Sequence, residues 1–188
     1  MPHQHFKIYK PYGIISQTHS NDPKQKRKKR FLRELYDFPE DIMPIGRLDE
    51  KSEGLLLMTT DGKLSDTINR SGIEKEYFAQ VDGTITEEAI EDLQTGLNIG
   101  LHGDTYKTQP CIAKKIETPT LPEREKKIRD ARHGPTSWIS ITLTEGKFHQ
   151  VRKMTSAVGF PTLRLVRVRI GDIYLGSMLP GDVLKISI

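Results

Sequence analysis

The sequence is poor in the features that mark secreted, metal-binding and membrane proteins. Its 188 residues include a single cysteine, Cys111, which excludes an intrachain disulfide and favours a reducing compartment. The six histidines are scattered, and no Cys/His cluster has the spacing of a zinc site. No apolar run approaches the roughly 18 residues of a membrane span, and the first residues are unlike a signal peptide. We therefore expect a soluble cytoplasmic protein without a metal or other cofactor.

Charge is nearly balanced in total but uneven along the chain. The net charge is +4 and the sequence pI is about 9.1, which weakly favours a polyanionic partner. Six cations fall within seven residues in the run Lys24 to Arg30. Such a block cannot pack into a core and repels itself, so we expect a mobile loop over residues 17–30. That loop would either attract phosphates or serve as a solvated linker.

The most informative stretch covers residues 44–62, PIGRLDEKSEGLLLMTTDG. Arg47 and Asp49 precede an apolar run that predicts a buried strand from Gly54 to Thr60, followed by a turn. A carboxylate just before a rigid strand is well held, and nearby glycines allow a ligand to approach the backbone. The alternative is that Asp49 caps a turn and pairs with Arg47 on the surface.

Two further blocks lie later in the chain. Residues 73–81 predict a strand that contains Tyr77, which on its own could be a core residue. Residues 144–154, TEGKFHQVRKM, predict the start of a helix with Phe148 and Val151 on its buried face and Arg152 on the other side. A phosphate-binding loop is excluded at this point because the Walker glycine spacing is missing.

In order, these blocks resemble the signature of pseudouridine synthases, in the ribosomal branch that comprises the A, B, E and F types. The family pattern has Gly-Arg-Leu-Asp, a later Gly-Leu-Leu-Leu and Asn-Asp-Gly, and this chain has Thr60 in place of the Asn. Lys10-Pro11-Tyr12-Gly13 matches the family's opening turn, Lys75-Glu76-Tyr77 its Lys-x-Tyr, and residues 145–152 its Glu-Gly-Lys-x-His-Gln-Val-Arg. Nine residues precede the opening turn, where other members have a separate RNA-binding domain. The resemblance is therefore closest to the E type, and we expect one two-lobed catalytic domain over residues 1–188.

The fold that this resemblance implies is α+β, with a long, mixed, mostly antiparallel sheet, flanking helices and a central RNA-binding cleft. The residue pattern agrees, since it predicts many strands and two or three helices, including one over residues 86–97 with Thr86 as its N-cap. Residues 118–136 are rich in proline and charge and predict a long excursion or a lid. We expect His102 and His133 to be surface residues without partners.

The activity that the resemblance implies is isomerisation of a uridine to pseudouridine in ribosomal RNA, with 23S RNA indicated by the lone catalytic domain. It implies that Asp49 acts on the ribose as nucleophile or base, that Tyr77 stacks on a flipped uridine and that Arg152 keeps Asp49 charged. The residues expected to contact RNA are Arg47, Lys10, Lys147, His149, Gln150, Leu165, Lys24, Lys26, Arg27, Lys28, Lys29 and Arg30. We expect a monomer. The alternatives are a non-catalytic ribosomal RNA-binding protein, an enzyme acting on transfer RNA, or a nucleoside hydrolase.

Overall fold

A computed structural model describes residues 2–188. Its strands are β1 (His5–Lys10), β2 (Met43–Ile45), β3 (Glu53–Thr59), β4 (Lys75–Asp82), β5 (Asn98–Leu101), β6 (Asp104–Lys107), β7 (Ile112–Ile116), β8 (Thr136–Leu143), β9 (Thr162–Ile170), β10 (Ile173–Tyr174) and β11 (Val183–Ile186). Its α-helices are α1 (Pro23–Lys28), α2 (Gly62–Arg70), α3 (Glu87–Thr95) and α4 (Gln150–Ala157). Two 3₁₀ turns cover Leu32–Glu34 and Ala131–His133. None of the helices within the described residues is long and apolar enough to cross a membrane.

Nine strands form one sheet in the order β11-β1-β3-β9-β4-β8-β7, with β2 paired to β3 and β10 paired to β9. Every pairing in this sheet is antiparallel except the contact of β3 with β9, which is parallel and short. Strands β5 and β6 form a separate hairpin. The mixed, mostly antiparallel sheet with flanking helices confirms the predicted fold class.

The parallel contact between β3 and β9 joins the two halves of the sheet, β11-β1-β3 and β9-β4-β8-β7, unusually closely. Gly54 has φ of +105°, and a Cβ added to it would lie 2.3 Å from the carbonyl oxygen of Arg167. Only glycine fits such an approach of two backbones. Next to this contact, Arg164 forms a buried bidentate ion pair with Glu53. The two halves of the sheet are thus joined at the first residues of strand β3.

The core is divided into three apolar clusters. One lies between strands β4 and β8 and helices α3 and α4. The others cover the two faces of strands β1 and β3, one with the segment around Leu32 and Phe38 and the other with the end of β9. Helix α3 begins as predicted, because the Thr86 hydroxyl accepts from the Ala89 amide.

Of the two long loops that the sequence predicts, one contains a helix and the other is an excursion. The basic loop contains helix α1, since the Asp22 carboxylate accepts from the Lys24 amide and Pro23 suits a first helical position. No residue of α1 is buried. Residues 118–136 pack as an excursion on the outside of the sheet, where the carbonyl of Pro122 accepts from Arg164 and Arg129 pairs with Asp82. None of them lines the large cleft, which favours the excursion over the lid.

Candidate active site

A cleft of about 680 Å³ opens beside the junction of β3, β9 and β4. Its walls come from residues 15–17, residues 45–50 and residues 143–151, together with residues 75–77 of β4 and residues 165–170 of β9. Five cationic residues line the cleft, Lys29, Arg47, Lys75, Lys147 and Arg167. Three carboxylates line it as well, Asp49, Glu50 and Glu145. The surplus of cations makes the cleft suitable for a polyanion.

Asp49 lies in the loop between β2 and β3, and the backbone on both sides of it is tied down. The Ser16 hydroxyl donates to the Leu48 carbonyl at 2.6 Å and accepts from the Leu48 amide at 2.9 Å. The Gly13 amide donates to the Glu50 carbonyl, and the Ser52 amide donates to the Asp49 carbonyl. A loop with its hydrogen bonds satisfied in this way holds one conformation, so the position of the carboxylate is fixed.

Lys10 supports the same loop from inside the protein. Its side chain is fully buried, and its ammonium group donates to the carbonyls of Pro11, Ile14 and Glu50. Burial lowers the pKa of Lys10 to about 7, against the opposing charges of Glu53 and Asp49. This placement contradicts the prediction that Lys10 contacts RNA, because the ammonium group is closed off from the surface.

The Asp49 carboxylate faces the cleft with a side-chain exposure of 30%. Its Oδ1 lies 3.5 Å from Nε2 of His149. Arg152 does not ion-pair with it directly, since the guanidinium donates to the Lys51 carbonyl and to the Ser52 hydroxyl at 3.0 and 3.1 Å. Burial lowers the pKa of Arg152, and the charge of Asp49 opposes that effect. Arg152 therefore lies beside the carboxylate and fixes the backbone that follows it.

Tyr77 and Leu165 occupy neighbouring strands on the cleft wall. Leu165 is 3% exposed and packs in the same apolar cluster as Tyr77. The guanidinium of Arg167, two residues further along β9, lies 5.9 Å from the centre of the Tyr77 ring. Burial lowers the pKa of Lys75, which also lines the wall, and Arg167 adds to that effect. The wall thus combines an aromatic ring, an apolar side chain and buried positive charge.

The opposite wall is the turn before helix α4. Gln150 is 4% exposed, accepts from the Lys147 amide and donates to Glu145. Glu145 in turn accepts from the hydroxyl of Tyr106 on β6. The ammonium group of Lys147 lies 4.8 Å from the Tyr106 ring. Of these predicted contact residues, Lys147 is therefore presented at the cleft, while Gln150 is mainly a structural support.

The segment Lys24 to Arg30 borders the cleft through Gln25 and Lys29. Lys29 lines the cleft and pairs with Glu50, and Arg30 pairs with Glu34. The other four cations of the run are exposed to solvent: Lys24, Lys26, Arg27 and Lys28. Arg47 is also exposed, and its backbone carbonyl accepts from Arg167. Its backbone is thus held while its side chain is exposed at the cleft.

Sequence reasoning missed two residues of this site. Ser16 carries no motif, and only the fold shows that it holds Leu48. Arg167 is 2% exposed, donates to the Leu55 carbonyl at 2.8 Å and has its Nη2 without a hydrogen-bond partner among the described residues. A signal for it was present, because residues i and i+2 of a strand share a face, and Leu165 was already a candidate. No group of three or more His, Cys, Asp or Glu side chains within residues 2–188 is arranged to hold a metal ion.

Comparison with known proteins adds independent evidence. The sequence profile of the RNA pseudouridylate synthase family matches residues 4–157. The chain is 38% identical to a ribosomal large subunit pseudouridine synthase E of Vibrio parahaemolyticus over 95% of this chain and 72% of that protein. It is 40% identical to the protein of the same name in Xanthomonas axonopodis pv. citri, over 92% of this chain and 88% of that one.

A solved structure shows the same fold. The crystal structure of a pseudouridylate synthase superposes with a TM-score of 0.76 and 26% sequence identity, covering 99% of this chain and 71% of that one. The human protein RNA pseudouridylate synthase domain containing 1 superposes with a TM-score of 0.55 at 13% identity, over 98% of this chain and 79% of that one, which supports the fold alone.

Proposed function

Because this chain belongs to the RNA pseudouridylate synthase family, we propose that it converts a specific uridine of ribosomal RNA to pseudouridine with Asp49 as its catalytic residue. The chain is an RNA pseudouridine synthase, as its matches over nearly its full length establish. The relatives named as large-subunit enzymes support 23S RNA as its substrate. We infer that it acts as a monomer in the cytoplasm, where ribosomal RNA is assembled into ribosomes.

The observation that carries the role of Asp49 is its carboxylate, held on a fixed loop inside a cationic cleft. In the proposed reaction the carboxylate acts on the ribose as nucleophile or base, and the bond from C1′ to N1 of uracil breaks. The detached uracil turns, and a bond forms from C1′ to C5 as the Asp49 carboxylate leaves the ribose or, where it acted as a base, returns the proton that it took from the ribose. The proton on C5 leaves and N1 gains a proton, so the product is an isomer of the substrate. The reaction needs no oxidant and no phosphate transfer.

The target base must leave the RNA stack to reach this carboxylate. We propose that the base rests on the Tyr77 ring with Leu165 against it, because both side chains line the same cleft as Asp49. Arg47 is exposed on a fixed backbone, so its planar guanidinium can fill the gap left in the stack. Arg152 would stabilise the charge of Asp49 through space while holding Lys51 and Ser52.

The test replaces Asp49 with Asn, which keeps the shape and removes the charge. RNA carrying tritium at C5 of uracil releases that tritium to water only when the isomerisation occurs. We expect Asp49→Asn to release none and to bind the RNA within a few-fold of the unchanged protein. The control is Asp66→Asn, the same change at an exposed carboxylate on α2 outside the cleft, which should react normally.

The results separate the proposed reaction from its rivals. Tritium release by Asp49→Asn at an undiminished rate would overturn the role of Asp49. Free uracil in the chromatogram of a reaction with the unchanged protein would indicate hydrolysis instead of isomerisation. Both RNAs are isolated from cells that lack the protein. If tritium is released from the transfer RNA but not from the ribosomal RNA, the proposal that ribosomal RNA is the substrate is wrong.

A further inference from the structure

Phe148 is exposed where the sequence predicts it to be buried. Helix α4 begins at Gln150, so Phe148 lies in the turn before the helix and does not share its buried face. Its exposed fraction is 57%, although the ring lines the mouth of the cleft. Single exposed apolar residues are common on protein surfaces, so exposure alone does not indicate a site. The surroundings of the ring provide the further evidence.

Two histidine rings lie nearly parallel to the Phe148 ring. The His149 ring is 3.9 Å from it with an interplanar angle of 18°, and the His102 ring is 6.1 Å away at 27°. His102 is exposed at the tip of the β5–β6 hairpin, as predicted, but its stacking with Phe148 corrects the prediction that it has no partner. The two histidines have φ of +53° and +54°, and they are the non-glycine residues with positive φ within residues 2–188. That conformation is unfavourable for a residue with a side chain, and here two such residues sit beside one exposed ring.

Two lysines lie near the Phe148 ring in the structure or in the sequence. The ammonium group of Lys153 lies 5.2 Å from the Phe148 ring centre and donates to the Gly100 carbonyl of the hairpin. Lys147 precedes Phe148 and lines the cleft. Nucleic-acid chains bind where aromatic faces alternate with cations, because bases stack on the rings while the cations contact the phosphates. An apolar protein partner would not require these charges.

The ring is also close to the proposed reaction centre. His149, which stacks on Phe148, has its Nε2 3.5 Å from the Asp49 carboxylate. A uridine that reaches Asp49 therefore brings its neighbouring nucleotides to the mouth of the cleft. We propose that the Phe148 ring, with His102 beside it, is a stacking platform for an unpaired base next to the target uridine. This inference rests on the proposed function for the RNA substrate, but its test does not depend on turnover.

The experiment measures binding of a short oligouridylate that contains one 2-aminopurine, whose fluorescence falls when it stacks on an aromatic ring. We expect the unchanged protein to quench this fluorescence. Phe148→Ala should lose the quenching and bind about tenfold more weakly, the order of effect of removing one base–aromatic stack. Phe148→Trp should restore both. Phe148→Leu keeps apolar bulk without an aromatic face and should behave like Phe148→Ala.

The matched control is Tyr174→Ala, since Tyr174 is 59% exposed and lies on β10 outside the cleft. It should bind and quench like the unchanged protein. Full binding and quenching by Phe148→Leu would overturn the platform, because any apolar side chain would then suffice. Normal binding by Phe148→Ala, or an equal loss in Tyr174→Ala, would overturn it as well. If no RNA is isomerised but the quenching pattern holds, the proposed reaction fails and the platform stands.

Discussion

The Asp49 loop and the basic segment of residues 24–30 border the same cleft but are built in opposite ways. Around Asp49, the backbone bonds of Leu48 and Glu50 are satisfied by partners from residues 10–16. In the basic segment, helix α1 buries no residue and four cations point to solvent. The segment joins the rest of the protein through an isolated bridge between Ile14 and Arg30 and the Lys29–Glu50 pair.

The difference matches two separate tasks. A carboxylate that acts on one carbon atom must be held to within about 0.5 Å, which requires buried and fully bonded support. Cations that attract phosphates work at longer range and gain little from a fixed position. We therefore expect changes near the Asp49 loop to affect the chemical step and stability, and changes in the basic segment to affect RNA affinity.

Arg152→Met should have the largest effect of the following variants. The variant removes the donor to Lys51 and Ser52 together with a positive charge near Asp49. We expect the single-turnover rate at saturating RNA to fall about 100-fold, the order seen when one preorganised donor is lost from an active site. Arg70→Met, which removes an exposed arginine from α2, is the control and should keep the full rate. If Arg152→Met loses only RNA affinity and keeps its rate at saturation, Arg152 is a phosphate contact.

Lys10→Met should have a smaller effect, mainly on stability. The variant leaves the buried carbonyl of Ile14 without its donor, which costs about 1–3 kcal/mol of the free energy of unfolding. We expect the rate of isomerisation to fall as well, because the Glu50 carbonyl loses one of its two donors. Urea unfolding of both proteins measures the stability difference. Equal stability would mean that the loop does not depend on the buried ammonium group.

The same pair of proteins tests the titration of Lys10. Burial lowers the pKa of Lys10 to about 7 in the folded state, from 10.5 when unfolded. Between these values the unfolded chain binds the proton and the folded protein does not, so stability rises with pH. The stability advantage of the unchanged protein over Lys10→Met should therefore grow from about pH 6.5 to about pH 8.5. An advantage that is constant over this range would contradict the depressed pKa.

The sequence predicts the regular elements of this fold well, because their signals are local. The apolar run after Asp49 is strand β3, and the Thr86 cap begins helix α3 one residue later. The prediction missed helix α1 because it gave more weight to the repulsion among the cations than to the helix start formed by Asp22 and Pro23. Phe148 was placed wrongly because the helix was predicted to begin two residues too early.

The site was predicted less completely, because its support comes from contacts distant in sequence. Asp49 and Tyr77 share the cleft as expected, since short motifs mark both. The bond from Ser16 to Leu48 and the contact of Arg167 with Tyr77 join residues 32 and 90 positions apart, and neither pair has a local pattern. Lys10 was expected to contact RNA because its segment resembles the family's opening turn, and no local pattern marks this lysine as buried. Only the packing of three carbonyls around it shows its role.

Substitutions in the basic segment should weaken RNA binding, unlike those near the Asp49 loop, and they should have the smallest effect on the rate of the reaction. Lys29 and Arg30 are already paired, so the cations available to RNA are Lys24, Lys26, Arg27 and Lys28. Each phosphate neutralised on a single strand contributes about −0.7 to the slope of log K against log salt. If these four residues engage about three phosphates, changing all four to Gln should flatten the slope by about two units.

Net charge alone could also change the slope, so the control must lose the same charge elsewhere. Four exposed lysines outside the cleft suit this purpose, Lys114, Lys115, Lys127 and Lys185. Their replacement by Gln should leave the salt slope within about half a unit of the original, because none of them lines the cleft. Both variants should keep the single-turnover rate at saturating RNA, since Asp49, Tyr77 and Arg152 are unchanged. An identical slope in the two variants would mean that residues 24–30 are a solvated linker, and that the contrast between the two sides of the cleft does not extend to RNA binding.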